Sequence, residues 1–282
     1  MKDVKRFTAD RYVLRPHANR FVDFFAQLST AYCGDESAPE LALFVARCCY
    51  AMAELCEPLQ SSLADEWPAA KEKLIAKGDC GISVWTGDLG VTVGRIYREQ
   101  FPTEPNAQLL HLMPTLARQV VSEESENGTK IESEIEVPQY LSIPLSRALQ
   151  FQAAKITKYG AHSLRKNQLR HLVKVTFNAL SDALMNLLDQ WESGDKISQP
   201  IALQLLFDCR YFAAATGALI DQKYQTLEQR LEQLIDPFDL AVLSPNITVN
   251  ATKAVQKTAV IHGAIIRSSE VLSLRHSGGL SF

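Results

Sequence analysis

The sequence predicts an all-α protein, and three observations carry that prediction. Leucine supplies 35 of the 282 residues. Glycine supplies only 13, below the average of about 7%. Apolar residues recur at three- and four-residue spacing along most of the chain, the period of an amphipathic helix rather than of a strand. Hydrophobic residues make up 46% and charged residues 22%, so the chain has material for a sizeable core and wholesale disorder is not expected. No unbroken apolar run exceeds six residues, as in Leu41 to Ala46, whereas a membrane-spanning helix needs ~18. No basic segment followed by an apolar stretch opens the chain, so a secretory signal is not expected.

The elements follow in order. Phe21, Phe24, Phe25 and Leu28 mark one face of a first helix. Ser37-Ala38-Pro39-Glu40 reads as a helix start, with serine as cap and proline in the first turn. The stripe Leu41, Phe44, Val45, Cys48, Cys49, Met52, Leu55, Cys56 continues it to about residue 63. Trp67-Pro68 opens a shorter helix that Lys77-Gly78 stops. Residues 81–101 carry Gly87, Gly90 and Gly94, which weaken a helix. They are still assigned to one, because an isolated hairpin there has no partner strands. Leu109 to Val121 is a further helix containing Pro114, and Ser122 to Glu136 holds six acids, one lysine and Asn127-Gly128. Such a segment repels itself, so it is expected to be an acidic flexible linker.

Leu141, Leu145, Leu149, Ala153 and Ile156 mark a helix ended by Gly160. Ser163 then caps a long helix with Leu169, Leu172, Thr176, Leu180, Ala183, Leu184, Leu187, Leu188 and Trp191 inward, closed by Gly194. Ser198-Gln199-Pro200 starts the next, with Ile201, Leu205, Leu206, Cys209, Phe212 and Ala213 inward as far as Gly217. Tyr224, Leu227, Leu231 and Leu234 form a short heptad-like seam. Asp236-Pro237 breaks that helix, and a last one is expected from Pro245 to Arg267, burying Val249, Ala254, Val255, Ala259, His262 and Ile265. Short connections imply antiparallel neighbours. The expected organisation is therefore an N-terminal helical bundle over 1–121, the linker 122–136, a C-terminal helical bundle over 137–267 and a tail over 268–282.

Chemical motifs are scarce. The sequence has no Gly-x-Ser-x-Gly, no His-Glu-x-x-His and no phosphate-binding loop. The six cysteines include no Cys-x-x-Cys pair, so they read as small core residues in a reducing compartment. His262 falls on an apolar face, where a hydrogen-bonded core histidine is the commoner role. No catalytic residue, metal or cofactor is expected, and an all-α enzyme with dispersed residues is the least favoured alternative.

Charge is more informative. Residues 1–136 carry 14 basic and 21 acidic side chains; residues 137–282 carry 15 and 11. From Val137 to Ser181 no acid occurs, while Arg147, Lys155, Lys158, Arg165, Lys166, Arg170 and Lys174 do. Arg165, Lys166 and Arg170 fall in the first turns of their helix, where the macrodipole favours acids. A local rule broken in this way points to a partner. The candidate partner-binding residues are thus Lys155, Lys158, Arg165, Lys166, Arg170 and Lys174. The candidates are the chain's own acidic segment 122–136, an acidic surface of another subunit, and, as the alternative, an anionic membrane surface. Nucleic acid is not expected, since the chain is acidic overall and few aromatic residues interleave the basic ones.

One family resemblance stands beside this reading. Ala202-Leu203-Gln204-Leu205-Leu206-Phe207-Asp208-Cys209-Arg210-Tyr211 is followed by Ile235-Asp236-Pro237-Phe238-Asp239-Leu240, Ser244-Pro245 and Val255-Gln256-Lys257-Thr258, and preceded by Gly160-Ala161-His162-Ser163-Leu164. This ordered set resembles the carboxy-terminal region of the subunit 1 family of the conserved oligomeric Golgi complex, a vesicle-tethering assembly. It covers about residues 137–266; residues 1–136 show no matching motif. The resemblance implies tandem antiparallel bundles forming a rod of the multisubunit-tether type. It also implies a non-enzymatic scaffold that joins other subunits in a hetero-oligomer, takes no small-molecule substrate, and acts in retrograde intra-Golgi transport. Its place would be cytoplasmic and peripheral to the Golgi membrane. The family's amino-terminal coiled coil has no counterpart, so the resemblance further implies a carboxy-terminal portion of such a subunit.

Overall fold

The computed structural model describes residues 20–27, 30, 32, 38–55, 63–102, 107–124, 130–160, 164–192, 197–216 and 222–266. Their regular structure is helical apart from one two-stranded sheet. Contacts divide the chain into two compact units, Met1–Leu89 and Gly90–Phe282. This partition differs from the one expected around 122–136.

In the first unit, α1 (Pro39–Leu55) buries Ala42, Leu43, Ala46, Cys49 and Ala53. A 3-10 turn (Ala64–Glu66) leads into α2 (Trp67–Glu99), whose residues from Gly90 onward belong to the second unit. Val22, Ala53, Leu63, Trp67, Ala70 and Leu74 form a core cluster, with Phe25, Met52 and Ile75 packed against it. The helix stop expected at Lys77-Gly78 does not occur, because Gly78 lies within α2. A Cβ there would stand 2.8 Å from Tyr50 Cζ, so this glycine serves close packing rather than termination. The helical assignment of residues 81–99 agrees with α2, which contains all three glycines of that stretch.

The second unit holds α3 (Ala107–His111), β1 (Ala117–Glu124), β2 (Lys130–Val137), α4 (Ile143–Tyr159), α5 (Lys166–Glu192), α6 (Gln199–Thr216), α7 (Gln222–Glu232) and α8 (Pro237–Ile266). Two expectations fail here. The helix drawn from Leu109 to Val121 ends at His111, and β1 follows Pro114. The segment expected to be a flexible linker instead forms a hairpin with β1, in register from Ala117 opposite Val137 to Glu124 opposite Lys130. The period-2 geometry explains it. Glu132, Glu134 and Glu136 all point to the exposed face beside Arg118 and Val120, while Val137 is buried on the other. Gln119, on the inner face, donates from Nε2 to Asn246 Oδ1 (3.3 Å). Asn250 of α8 donates to Gln119 Oε1 (3.4 Å) and to the Pro138 carbonyl (3.2 Å).

α4 is capped by Ser142, whose hydroxyl accepts from Leu145 N–H (3.3 Å), and ends at Gly160 in a positive-φ conformation (88°). α5 starts with Gln168 Oε1 accepting the Arg165 N–H (2.9 Å), the reciprocal half of a capping box. The caps expected at Ser37 and Ser163 and the stops at Gly194 and Gly217 lie outside the described residues, as does the tail 268–282. Within the second unit, α5 packs closely against residues 90–99 of α2: a Cβ on Gly90 would meet Val175 Cγ1 at 2.5 Å, and one on Gly94 would meet Ala179 O at 3.0 Å. Trp191 closes the far end of α5, with Phe101 edge-on at 5.7 Å and its indole N–H donating to the Pro102 carbonyl (3.3 Å).

The last helix also differs from expectation. It begins at Pro237, not Pro245, with the Asp236 carboxylate accepting from Phe238 N–H (2.9 Å) as its cap. Pro245 sits inside it, on the solvent side next to exposed Ala241, so the helical hydrogen bond it cannot make is lost at the surface and not in the core. Ala254 and His262 are buried as expected, but Val249 is 50% exposed. The side chain of Ile265 lies outside the description. Among the described residues, no helix is long and apolar enough to cross a membrane.

Candidate functional site

The second unit is organised around α6. Every residue from Ile201 to Phe212 is buried, so this helix has no solvent face, and its polar side chains must find partners inside. Gln204 donates to the Tyr140 carbonyl (2.9 Å) and to Asp208 Oδ1 (3.1 Å). Asp208 Oδ1 also accepts the Ser142 N–H (3.1 Å), which ties α6 to the cap of α4. Burial raises the Asp208 carboxyl to about 7, against the lowering effect of its bonds from Ser142 and Gln204. Gln152 of α4 donates to Thr176 of α5 at 2.7 Å, a further buried bond between helices.

Arg210 is the most connected of these groups. Its Nε donates to Glu228 Oε1 (2.8 Å) and its Nη2 to Glu232 Oε1 (2.7 Å), both on α7. Its Nη1 reaches the Ser244 carbonyl (2.9 Å), Ser244 Oγ (2.8 Å) and Thr248 Oγ1 (3.1 Å) on α8. One guanidinium therefore clamps α7 and α8 to α6. The planar fork suits this, where a lysine would offer a single point charge. Tyr211 completes the joint: its hydroxyl bonds Thr258 Oγ1 (2.6 Å) and His262 Nδ1 (2.9 Å). Burial raises the Tyr211 phenol to about 12 and lowers the His262 imidazole, so both are neutral at pH 7. His262 also leaves helical geometry (φ −102°, ψ 16°), which bends α8 there.

A cavity of about 30 Å³ lies beside Asp208, walled by Tyr97, Phe177, Cys209 and Phe212 among others. That is room for one water, far below the ~300 Å³ of a small-molecule pocket. Burial pushes the Cys209 thiol up, away from the nucleophilic thiolate. A shifted carboxyl is one mark of an active site; here its Oδ1 bonds Ser142 and Gln204, and there is no space for a substrate beside it. Among the described residues no three His, Cys, Asp or Glu side chains gather as metal ligands.

The candidate partner-binding residues all reach the surface. Lys155 and Lys158 lie on the last turns of α4, with Nζ 5.8 Å from the Phe151 ring and 5.2 Å from the Tyr159 ring respectively. Arg165 precedes α5 and is partly exposed; Lys166, Arg170 and Lys174 follow at four-residue intervals and are exposed. Those intervals place the last three on one side of α5, away from buried Gln168, Leu172, Val173 and Thr176. Arg147 donates to Gln100 Oε1 (3.3 Å). The structure gathers three acids of the segment 122–136 into a second charged surface, the Glu132–Glu134–Glu136 face of the hairpin, where the sequence predicts a flexible linker.

Such an arrangement defines a helical bundle whose interior polar groups join helix to helix. The chain is similar to subunit 1 of the conserved oligomeric Golgi complex from human, at 24% identity over 83% of this chain. It is similar to the mouse subunit at the same identity and coverage. In both cases the chain spans 29% of the relative's own length. No family model matches the chain, and no solved structure matches it.

Proposed function

We propose that this chain is part of a non-enzymatic scaffold subunit of a Golgi vesicle-tethering complex, acting in retrograde intra-Golgi transport through contacts with other subunits. The observation that carries this reading is the similarity to subunit 1 of the Golgi complex over 83% of the chain. The interior of the second unit supports it, because Gln204, Asp208, Arg210 and Tyr211 are all engaged in joining helices. The subunit would be held at the cytoplasmic side of Golgi membranes by its assembly. Within this reading, Lys155, Lys158, Arg165, Lys166, Arg170 and Lys174 dock on an acidic surface of another subunit.

The test is to tag the full-length protein in cells and to recover the complex. Other subunits of the tether should co-purify with it. Replacing Arg165→Glu, Lys166→Glu and Arg170→Glu should lower that recovery about tenfold, since like charges facing across an interface cost several kcal/mol. Recovery of no tether subunit by the unaltered protein would refute the scaffold reading. Unchanged recovery by the triple variant would leave these residues as a solvated face. Flotation on anionic vesicles that is lost in the triple variant and in high salt would assign them to membrane instead.

A further inference from the structure

α8 is apolar on two opposite faces. The inner face carries Leu243, Ile247, Ala251 and Ala254, all buried. At about 100° per residue, Phe238, Val242, Val249 and Val260 fall within about 40° of one another on the other side. They are exposed by 85%, 41%, 50% and 95%. Exposed Pro245, Thr252 and Gln256 lie on the same line. The resulting spacing of fours and threes over about six turns is that of a helix–helix seam.

Three features select the occupant. First, the seam holds the exposed amide of Gln256, whereas the Thr252 hydroxyl already donates to the Thr248 carbonyl (3.1 Å); a facing helix can pair that amide, while a lipid environment cannot. Second, exposed Lys253 and Lys257 flank one edge, one turn apart, the latter with its Nζ 5.7 Å from the exposed Tyr140 ring. Complementary charge on the partner is therefore acidic. Third, a second copy of α8 cannot supply it, because Asp239 is the sole acid between Pro237 and Ile266. We propose that the outer face of α8 is a docking seam for an acidic amphipathic helix of another subunit. The inference rests on the scaffold reading above and adds the surface and the chemistry of its partner.

The test uses the full-length protein in cells, with a photocrosslinking residue in place of Val249. The expected product joins position 249 to a segment of another tether subunit with apolar residues at three- and four-residue spacing and flanking Asp or Glu. A crosslink to lipid, to a second copy, to this chain's own residues or to nothing overturns the proposal. In parallel, Val249→Asp with Val260→Asp, and separately Lys253→Glu with Lys257→Glu, should each reduce the crosslinked subunit's recovery about tenfold, with urea unfolding of the protein unchanged. If the unaltered protein recovers the tether and these variants do so equally, the seam is refuted and the scaffold reading stands. If the unaltered protein recovers no tether subunit, both fall together.

Discussion

Removing the Arg210 guanidinium is the most direct challenge to the joint between α6, α7 and α8. Arg210→Met keeps the volume and most of the apolar stem but deletes five hydrogen bonds, to Glu228, Glu232, Ser244 twice and Thr248. The side chain is 9% exposed, and Glu228 and Glu232 are 24% and 31% exposed. Breaking a buried ion pair costs about 3–5 kcal/mol, chiefly because a charge is left without its partner. Here two carboxylates are left, but each keeps an edge in water, so the low end applies, about 3 kcal/mol. That is a large part of a typical stability of about 5–15 kcal/mol. Urea unfolding followed by far-UV circular dichroism gives the loss directly. The control is the triple variant Arg210→Met, Glu228→Gln, Glu232→Gln, which removes the stranded charges and should return to within about 1 kcal/mol of the original protein. A single-variant loss below about 1 kcal/mol, or a triple variant as unstable as the single one, would refute the clamp.

Other perturbations bear on the same unit. With the Asp208 carboxyl raised to about 7 in the fold against about 3.9 unfolded, the folded state holds the proton more tightly. Its contribution is therefore fully present below about pH 4 and is lost as pH rises to about 7, by at most about 4 kcal/mol. Asp208→Asn should flatten that part of the stability–pH curve and equal or exceed the original protein at pH 8; identical slopes would refute the assignment. Gly87→Ala should raise stability by up to about 1 kcal/mol through helix propensity, since nothing lies within 4 Å of the added Cβ. Gly90→Ala, one turn on, should lower it by about 1–3 kcal/mol through overpacking against Val175. Equal signs in thermal melts would defeat the explanation. Tyr211→Phe strips the bonds to Thr258 and His262 and should cost about 1–3 kcal/mol by leaving a buried ring nitrogen unpaired, read from the urea midpoint.

The helices of the second unit were legible because burial follows their period: Leu172, Thr176, Leu180, Leu184, Leu188 and Trp191 all face inward as spaced. The hairpin was not read, although its signals were present. Glu132, Glu134 and Glu136 alternate with Ser133, Ile135 and Val137, and Asn127-Gly128 lies between the arms. Weighing composition above period turned an amphipathic strand pair into a linker. Pro245 misled in a related way. A proline suits a first turn, but it is also tolerated inside a helix where the missing bond faces water, and α8 extends eight residues further back because Asp236 already caps it. The joint itself had no local signal. Gln204, Asp208 and Arg210 stood in the sequence as polar breaks in an apolar helix, yet their partners at Tyr140, Ser142 and Ser244 are 34 to 66 residues away. No periodicity encodes such a pairing.

The residues that carry the family resemblance occupy that joint, and this links the interior to the outer surface. Arg210 grips α8 at Ser244 and Thr248, and Tyr211 grips it at Thr258 and His262. The first and second grips are about four turns apart along one side of the helix. A helix held at two separated points on one face cannot roll about its axis without breaking both. The opposite face, with Phe238, Val249 and Val260, is thereby held outward instead of turning in to bury its own apolar surface. Rolling would bury those three side chains but would bring Leu243 and Ile247, now buried, out to solvent in exchange, so apolar burial alone does not choose between the two orientations and the two polar grips do. On this argument the buried network has a purpose that hydrophobic packing alone does not serve. Apolar contacts are non-directional and would tolerate rotation, whereas a guanidinium fork and a tyrosine hydroxyl fix which face is left exposed.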